Sequence, residues 1–323
     1  MSGVLVYSER KPLAFELLSG GREIAASLGS TLAVALLGPG TADHVEAYFT
    51  HGAEKAYVVE DSALEEHHTS VYAEALVQIV QKTDTDLVLI GSTRRGRTLA
   101  PRLAQKLGAG CVTDALHLSM QDQGLVSQRH SLGGNTIKEV VVTSPTVVIA
   151  VLPGTFEPSP DRAGSPATSA DAVEKIAIDL TPSRAKIVDR RKKVGGAVNI
   201  EEAERVVCVG RGVENKNDLE FISSLVNALG GELAGTRPLA YEYGWITEDR
   251  MIGISGKTVR PQLYVAVGLS GQIQHSVSIR DSKIILAINK DKSAPIFEMA
   301  DYGIVGDLYE IVPRLTKALL EIK

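Results

Sequence analysis

The chain has 323 residues and a formal net charge of −5, and its residues are 44% hydrophobic and 23% charged. This is the composition of a folded soluble protein, and the negative charge argues against general binding to nucleic acids or acidic membranes. The N-terminus lacks the apolar core of a signal peptide, and no apolar run approaches the ~20 residues of a membrane helix. We therefore expect a cytoplasmic protein with no membrane insertion.

From residue 4 to about residue 152, short β-branched runs alternate with segments of helical periodicity. The strand-like runs are VLVYSE, TLAVALLG, KAYVVED, TDLVLIGST, GLVSQRH and TVVIAVLP; the helical segments are FELLSGGREIAASLG, ADHVEAYFTHGA, SVYAEALVQIVQKT and GRTLAPRLAQKLG. This β-α-β-α order predicts a mostly parallel sheet with helices on both faces.

Core-forming residues are scarce in PGTFEPSPDRAG, residues 153–164, and in the SPATSA that follows, which indicates an exposed connection. EKIAIDL then alternates like a half-buried strand, and DRRKKVGG at 189–196 is typical of a charged hinge. We therefore divide the chain into an N-terminal α/β domain with linker, residues 1–200, and a C-terminal domain, residues 201–323.

The C-terminal domain repeats the α/β pattern. Strands are predicted at RVVCVGRG, QLYVAVG and KIILAIN, and helices at DLEFISSLVNALGG, which the Gly-Gly ends, and at DLYEIVPRLTKALLEI. The fold class is therefore α/β with two domains, each a mostly parallel sheet flanked by helices.

Glycine, serine and amide clusters follow several of these strands. GRG at 210–212 follows one strand, GLSGQIQH at 268–275 follows another, and INKD at 288–291 ends a third. Ligands of open α/β sheets bind beyond the carboxyl ends of strands, although each cluster alone also fits a simple turn. In this arrangement Gly268 and Gly271 would admit a close ligand, Ser270 with amide N–H groups would hold a diphosphate, and Arg211 would supply positive charge.

Two further loops carry polar groups. GTRPLAYEYGW at 235–245 places a hydroxyl and an arginine before a stiffening proline, and IGISGKTVRPQLY at 252–264 adds Ser255. Without a ligand, the first loop would be a turn whose Trp245 fills an apolar gap.

SGKTVRPQLYVAVGLSGQIQH and AINKDKSAPIFEMADYGIVGDLYEIVP together resemble the alpha subunit of electron transfer flavoproteins, with supporting matches in RRGRTLAPRLAQKLG and SLGGNTIKEVVV. The resemblance runs from the N-terminus to Lys323. It implies a Rossmann-like C-terminal domain that binds FAD and a heterodimer with a beta subunit, which the first domain would contact.

The resemblance also implies a role for each matching residue. Arg211 corresponds to the diphosphate-side arginine, Thr236 and Arg237 to the hydroxyl and cation beside the flavin ring, and Ile252, Gly253, Ile254 and Ser255 to the strand end whose hydroxyl faces flavin N5. Ser270, Gly271, Gln272, Ile273, Gln274 and His275 correspond to the diphosphate and ribityl loop, with His275 near the ring's O2. Asn289, Asp307 and Leu308 correspond to contacts toward the adenosine.

The implied function is an electron carrier rather than an enzyme with its own substrate, so we predict no catalytic residue and no metal site. It would pass electrons between flavin dehydrogenases, such as an acyl-CoA dehydrogenase, and a quinone reductase or another acceptor. Arg237 and His275 would favour the negative charge that reduction places on the flavin's N1 and O2 edge.

The sequence departs from the commonest family pattern. Thr236 replaces a usual serine, Ser255 a usual threonine and Ile254 a usual glutamine, and PLAYEYGW is a residue longer than in many relatives and lacks their usual aspartate. This variation is similar to branches that work in electron-bifurcating complexes.

A rival interpretation is an ATP-consuming adenine-nucleotide enzyme of the ATP pyrophosphatase type, because SGG at 19–21 resembles the start of a pyrophosphate loop. Such a loop should follow the first strand directly, so a structural glycine pair is favoured. A third class is a structural partner whose bound nucleotide is redox-silent. Cys111 and Cys208, the only cysteines, lie in separate halves, and we expect buried free thiols.

Overall fold

The chain forms two compact units, Met1–Arg190 and Arg191–Lys323, whereas the sequence prediction set the boundary after residue 200. The structure is a computed structural model. It describes residues 3–134, 136–158, 172–181, 183, 185, 187–189 and 199–322. Half of the predicted connection at 153–164, all of SPATSA and most of the predicted hinge at 189–196 lie outside these described residues.

A nine-stranded sheet forms the centre of the first unit. Its strands are β1 (Gly3–Tyr7), β2 (Thr31–Leu37), β3 (Lys55–Val59), β4 (Leu87–Gly91), β5 (Gly110–Gln121), β6 (Gly124–Ser131), β7 (Thr136–Val141), β8 (Val147–Val151) and β9 (Val173–Lys175). The spatial order is β7-β6-β5-β8-β4-β1-β2-β3-β9. Only the β5–β6 and β6–β7 pairs are antiparallel, so the predicted mostly parallel sheet is confirmed.

Helices cover both faces of this sheet. They are α1 (Lys11–Leu28), α2 (Val45–Thr50), α3 (Thr69–Lys82) and α4 (Gly96–Leu107). The alternation of side chains along a strand builds two cores: Val4 packs in the cluster that contains Leu17 of α1, and Leu5 packs in the one that contains Leu76 of α3. The predicted helices on both faces are therefore confirmed.

Several details of the first unit differ from the sequence predictions, and its longest strand, β5, was not predicted. EKIAIDL contributes only its first two residues to a strand, β9. β7 was not predicted, because nearly all of its side chains are exposed and no apolar alternation marks it. Cys111 is exposed, so the expected burial of this thiol is wrong. Its neighbour Val112 takes the buried position, since successive side chains on β5 point to opposite faces.

The second unit contains a five-stranded sheet in the order β11-β10-β12-β13-β14, and every pair is parallel. The strands are β10 (Arg205–Val209), β11 (Glu232–Gly235), β12 (Leu263–Val267), β13 (Ile285–Asn289) and β14 (Tyr302–Val305). The helices are α5 (Leu219–Leu229), α6 (Ile273–Ser276), α7 (Ile296–Met299) and α8 (Leu308–Ile322), with a π-helical turn at Pro238–Glu242. Gly230 ends α5 with a φ of 63°, as the sequence predicts.

Both faces of this parallel sheet are buried, as an all-parallel sheet requires. On one face, Val207 packs in a cluster with Ile222 of α5 and Val312 of α8. On the other face, Val206 packs against irregular segments and short helices, for example against Ile296 of α7. Among the described residues, no helix is both long and apolar enough to cross a bilayer.

The SGG segment lies inside α1 and serves packing. A Cβ on Gly20 would lie 2.4 Å from the ring of Phe156, and one on Gly21 would lie 3.0 Å from Leu32 Cδ1. The two glycines therefore let the helix lie close to its neighbours, and no pyrophosphate loop starts here.

We expect Gly20→Ala to destabilise the chain by about 1–3 kcal/mol, although alanine normally stabilises a helix by up to ~1 kcal/mol relative to glycine. The added methyl group would overlap the Phe156 ring. Urea unfolding followed by far-UV circular dichroism measures the change. In a protein that already carries Phe156→Ala, the same Gly20→Ala change should no longer destabilise the chain. Stabilisation of the unsubstituted protein by Gly20→Ala would contradict this packing.

Candidate functional site

The five carboxyl ends of the second sheet meet at one edge, because all its strands are parallel. Arg211 follows β10, Thr236 follows β11, Ser270 follows β12, Asn289 ends β13 and Asp307 follows β14. Residues predicted from five separate sequence segments therefore lie along a single edge, where the ligands of open α/β sheets bind.

Two glycines bring the loops after β10 and β12 into backbone contact. The Gly212 N–H donates to Gly268 O at 2.8 Å, and a Cβ on Gly212 would lie 2.7 Å from Gly268 Cα. Gly268 itself has a φ of +61°, and a Cβ on it would meet Leu308 Cδ2 at 2.7 Å. Side chains at these positions would separate the loops, so the sequence GRG and the first glycine of GLSG are required by backbone geometry.

The loop after β12 contains backbone N–H groups that no group in the described part of the chain accepts. Gly271 has a φ of +74°, and a Cβ there would lie 2.6 Å from Ile296 Cα. Within the described part of the chain, the backbone N–H groups of Ser270, Gly271 and Gln272 donate to no protein acceptor. The side chains of Ser270, Gln272 and Gln274 are exposed, as is that of Arg211 across the loop contact. Such a set of donors fits an anionic group such as a diphosphate.

The 252–255 turn connects β11 to this loop. The Ile252 N–H donates to Gly235 O at 3.0 Å, and the Ile254 N–H donates to Gln274 O at 2.9 Å. Gly253 has a φ of +147°, which only glycine adopts readily. Ile254 and Ser255 are exposed at the turn, whereas the Ile252 side chain is buried.

Asn289 braces the other end of the edge. Its Nδ2 donates to Leu269 O at 2.8 Å, and its backbone oxygen accepts from the Gly306 N–H at 3.0 Å. Asp307 then starts α8, because its Oδ1 accepts from the Tyr309 N–H at 2.9 Å. Leu308 is buried, so any ligand contact from it comes chiefly from the backbone.

Arg237 is exposed just beyond β11, at the start of the π-helical turn. Its guanidinium carbon lies 5.7 Å from the centre of the Tyr241 ring, a cation–π distance that orients the charge. π-Helical turns are rare and often occur at functional sites. Thr236 is half-buried, and its N–H donates to Val209 O at 3.0 Å, which ties this loop to the end of β10.

His275 is the buried member of the predicted set, with 8% of its surface exposed. Its Nε2 lies 2.8 Å from Tyr264 Oη, and its Nδ1 lies 3.2 Å from Ile252 O. Burial lowers the pKa of His275 to about 4, against a smaller upward effect of the Ile252 carbonyl. The imidazole is therefore neutral at physiological pH, and its predicted position near flavin O2 stays a prediction.

The structure thus places all the predicted residues on one edge, with Arg211, Arg237, Ile254, Ser255 and Ser270 exposed there. It also adds residues that the sequence predictions missed. Tyr264 lies inside an apolar strand, and its hydroxyl, the one polar side-chain group of that strand, was the only sequence feature that could have indicated it. Tyr241 lies in the longer PLAYEYGW loop, whose extra residue was the only indication.

The first unit's sheet reverses its strand order between β1 and β4, which is where such a sheet would bind a ligand. Here the protein's own groups satisfy one another. Thr93 Oγ1 donates to Glu9 Oε1 at 2.5 Å and accepts from the Gly96 N–H at 3.0 Å, at the start of α4. Among the described residues, no group of histidine, cysteine, aspartate and glutamate side chains could hold a metal ion.

Comparison with known proteins agrees with this division of the chain. Residues 4–180 match the model of the electron transfer flavoprotein domain, and residues 199–280 match that of the electron transfer flavoprotein FAD-binding domain. The chain therefore has the two domains of a flavin-binding electron carrier.

Full-length relatives identify the subunit. The chain is 38% identical over 323 residues to the electron transfer flavoprotein subunit alpha of Clostridium acetobutylicum, with 97% of this chain and 95% of that protein covered. It is 33% identical over 317 residues to the alpha subunit of Bacillus subtilis, with 97% and 94% covered. The chain belongs to the electron transfer flavoprotein alpha-subunit family, and its cofactor is FAD.

Another relative has a more specific name. The chain is 33% identical over 319 residues to the lactate dehydrogenase (NAD(+),ferredoxin) subunit LctC of Acetobacterium woodii. That alignment covers 97% of this chain and 76% of the relative.

We expect the second unit to lose stability as the pH falls from 6.5 toward 4, because the unfolded chain then protonates His275 and the folded chain does not. The free energy of unfolding should fall by roughly 2 kcal/mol between pH 7.5 and pH 5. Urea unfolding followed by the fluorescence of Trp245, the only tryptophan, measures it. His275→Gln should be less stable at pH 7.5 but show a smaller pH dependence, and an unchanged pH dependence would contradict the buried neutral state.

Proposed function

We propose that the carboxyl edge of the second sheet holds FAD, with the diphosphate at the 270–275 loop and the flavin near Arg237 and Ser255. The observation that carries this proposal is that the backbone N–H groups of Ser270, Gly271 and Gln272 donate to no acceptor in the described part of the chain, in a loop that contacts the Arg211 loop through Gly212 and Gly268. A diphosphate needs several donors and a positive charge within a few ångströms of one another, and this edge supplies both.

Bound FAD supplies the capacity to accept and release electrons one or two at a time. The residues of this chain set how readily it does so. Arg237 keeps a fixed positive charge at the edge, held by the Tyr241 ring, and favours the added negative charge of a reduced flavin. Ser255, exposed at the end of its turn, is placed to exchange a hydrogen bond with a ring nitrogen.

The chain acts with an electron transfer flavoprotein beta subunit and a flavin dehydrogenase, the kinds of partner its family implies. We propose the finer assignment that it forms a cytoplasmic heterodimer. This heterodimer would carry electrons from a dehydrogenase, such as an acyl-CoA dehydrogenase, to a quinone reductase or another acceptor. The alternative of an ATP-consuming enzyme is not favoured, because the SGG segment lies inside α1.

Work in an electron-bifurcating complex is the second candidate. It is supported by the LctC relative, whose name includes both NAD(+) and ferredoxin, and by the variant residues Thr236, Ile254 and Ser255 at the flavin loops. The number of flavins per heterodimer, counted by visible absorbance, separates the two forms. One FAD per pair supports the simple carrier, and two support bifurcation.

We expect Gly271→Ala to abolish FAD retention or weaken it at least tenfold. Alanine is strained at a φ of +74°, and its methyl group would push the loop away from Ile296. Titration of FAD into the heterodimer, followed by flavin fluorescence, measures the affinity. The control is Gly230→Ala, which has a φ of +63° but lies at the opposite edge with only Arg205 Nη1 at 3.5 Å. Equal losses in both variants would contradict the assigned loop.

We expect Arg237→Ala to lower the first reduction potential of the bound flavin, because a fixed positive charge near the reduced ring is lost. A tenfold change in the one-electron equilibrium corresponds to about 59 mV, and we expect a shift of roughly this size. A redox titration against reference dyes measures it. Arg205→Ala removes the same charge at the amino end of β10 and should leave the potential unchanged; an unchanged potential in Arg237→Ala would reject the role of this residue.

A further inference from the structure

A chain of buried polar groups lies directly beneath the candidate site. Tyr264, on β12, is fully buried, and its hydroxyl lies 2.8 Å from His275 Nε2. Cys208, on the neighbouring β10, shares this buried face of the sheet with Tyr264. On its other side, the His275 ring reaches Ile252 O at 3.2 Å. The chain therefore runs from the sheet core to the 252–255 turn.

The chemistry of the partners fixes the direction of these hydrogen bonds. A backbone carbonyl can only accept, so Nδ1 of His275 carries the hydrogen that points to Ile252 O. A neutral imidazole has only one N–H group, so Nε2 is the acceptor, and the Tyr264 hydroxyl donates to it. Burial supports the neutral forms, since it lowers the pKa of His275 to about 4 and raises that of Cys208 to about 12. The pKa of Tyr264 lies well above its usual value, also because of burial.

This arrangement pins two loops to each other. His275 ends the 268–275 loop, and Ile252 begins the turn that presents Ser255. The Ile254 N–H reaches Gln274 O at 2.9 Å, so the imidazole bond and this backbone bond join the same pair of segments. Both segments lie next to residues assigned to the flavin. A shift of the imidazole would therefore move the donors on which the flavin potential depends.

We propose that Tyr264 is a positioning residue that fixes the tautomer and orientation of His275, and through it the placement of the 252–255 turn against the flavin. In this arrangement the two ring nitrogens of His275 contact Tyr264 and Ile252. The histidine thereby acts as a neutral clamp between the two loops. The effect on the flavin rests on the proposed function, whereas the hydrogen-bond chain does not.

The tautomer of His275 is the first test. The probe is the heterodimer with only this chain ¹⁵N-labelled at histidine, studied by two-bond ¹H–¹⁵N correlation spectra, with His275→Gln used to assign the signal. We expect the Nδ1–H tautomer at pH 7 and a shift of the Nε2 signal in Tyr264→Phe, which removes the hydroxyl and keeps the ring. A doubly protonated or Nε2–H imidazole in the unsubstituted protein would overturn the proposal.

The flavin potential is the second test. We expect Tyr264→Phe to retain FAD but to lower the first reduction potential, with a threefold to tenfold change in the one-electron equilibrium; tenfold is about 59 mV. The cause would be looser placement of the donors that favour the reduced flavin. Tyr72→Phe is the matched control, since it also loses a buried hydroxyl hydrogen bond, to Leu64 O at 2.8 Å, but lies in the first unit.

The two measurements separate the possible failures. An unchanged potential in Tyr264→Phe, with the Nε2 signal shifted, would overturn the link between this clamp and the flavin. Equal shifts of potential in Tyr264→Phe and Tyr72→Phe would also overturn it, because the effect would then be general loss of stability. An unsubstituted heterodimer that binds no FAD would instead overturn the proposed function, and the tautomer would still decide whether the hydrogen-bond chain exists.

Discussion

The backbone contact between Gly212 and Gly268 is the constraint on which the site of the second unit depends. β10 and β12 are neighbouring parallel strands, so the loops that follow them leave the sheet at the same edge and compete for the same space. Hydrogen bonding between the two loops is possible only because neither position carries a side chain. Arg211 adjoins this contact on one loop, and the 270–272 segment, whose amides donate to no acceptor in the described part of the chain, follows it on the other. A hydroxyl, an amide and a positive charge can then act on one ligand, although they come from distant parts of the sequence.

Beneath this polar edge lies a buried and neutral layer. Burial favours the uncharged forms of His275, Tyr264 and Cys208, and the ring nitrogens of His275 contact Tyr264 Oη and Ile252 O. The charges of the site are instead at the exposed edge, at Arg211 and Arg237. This separation lets a rigid interior fix the loops while exposed cations set the electrostatics of the ligand. The first unit has a similar α/β layering, but the contact of Thr93 with Glu9 and the Gly96 N–H fills the equivalent position of its sheet.

Sequence patterns predict the parts of the fold in which one local signal dominates. α5 combines an apolar face with Gly230 at its end, and β12 and β13 are short, almost entirely apolar runs, so all three were predicted. β11 and β14 contain only four residues each, and β7 has no buried face, so local signals were too weak. The loops of the site were predicted because their glycines and polar residues follow strands. The hydrogen-bond partner of His275 was not predicted. Tyr264 lies in an apolar strand, whose pattern indicates core packing and gives no sign of a contact with the histidine.

Hydrogen–deuterium exchange of the heterodimer with and without FAD tests the central claim most directly, because it locates the cofactor without any substitution. We predict slower exchange on FAD addition at residues 210–213, 235–237, 252–255, 268–275 and 306–308, with the amides of 270–272 among the most protected. The N-terminal unit's 91–97 segment should be unchanged. Protection of 91–97 with no change at 268–275 would contradict the account, because FAD would then bind at a different sheet.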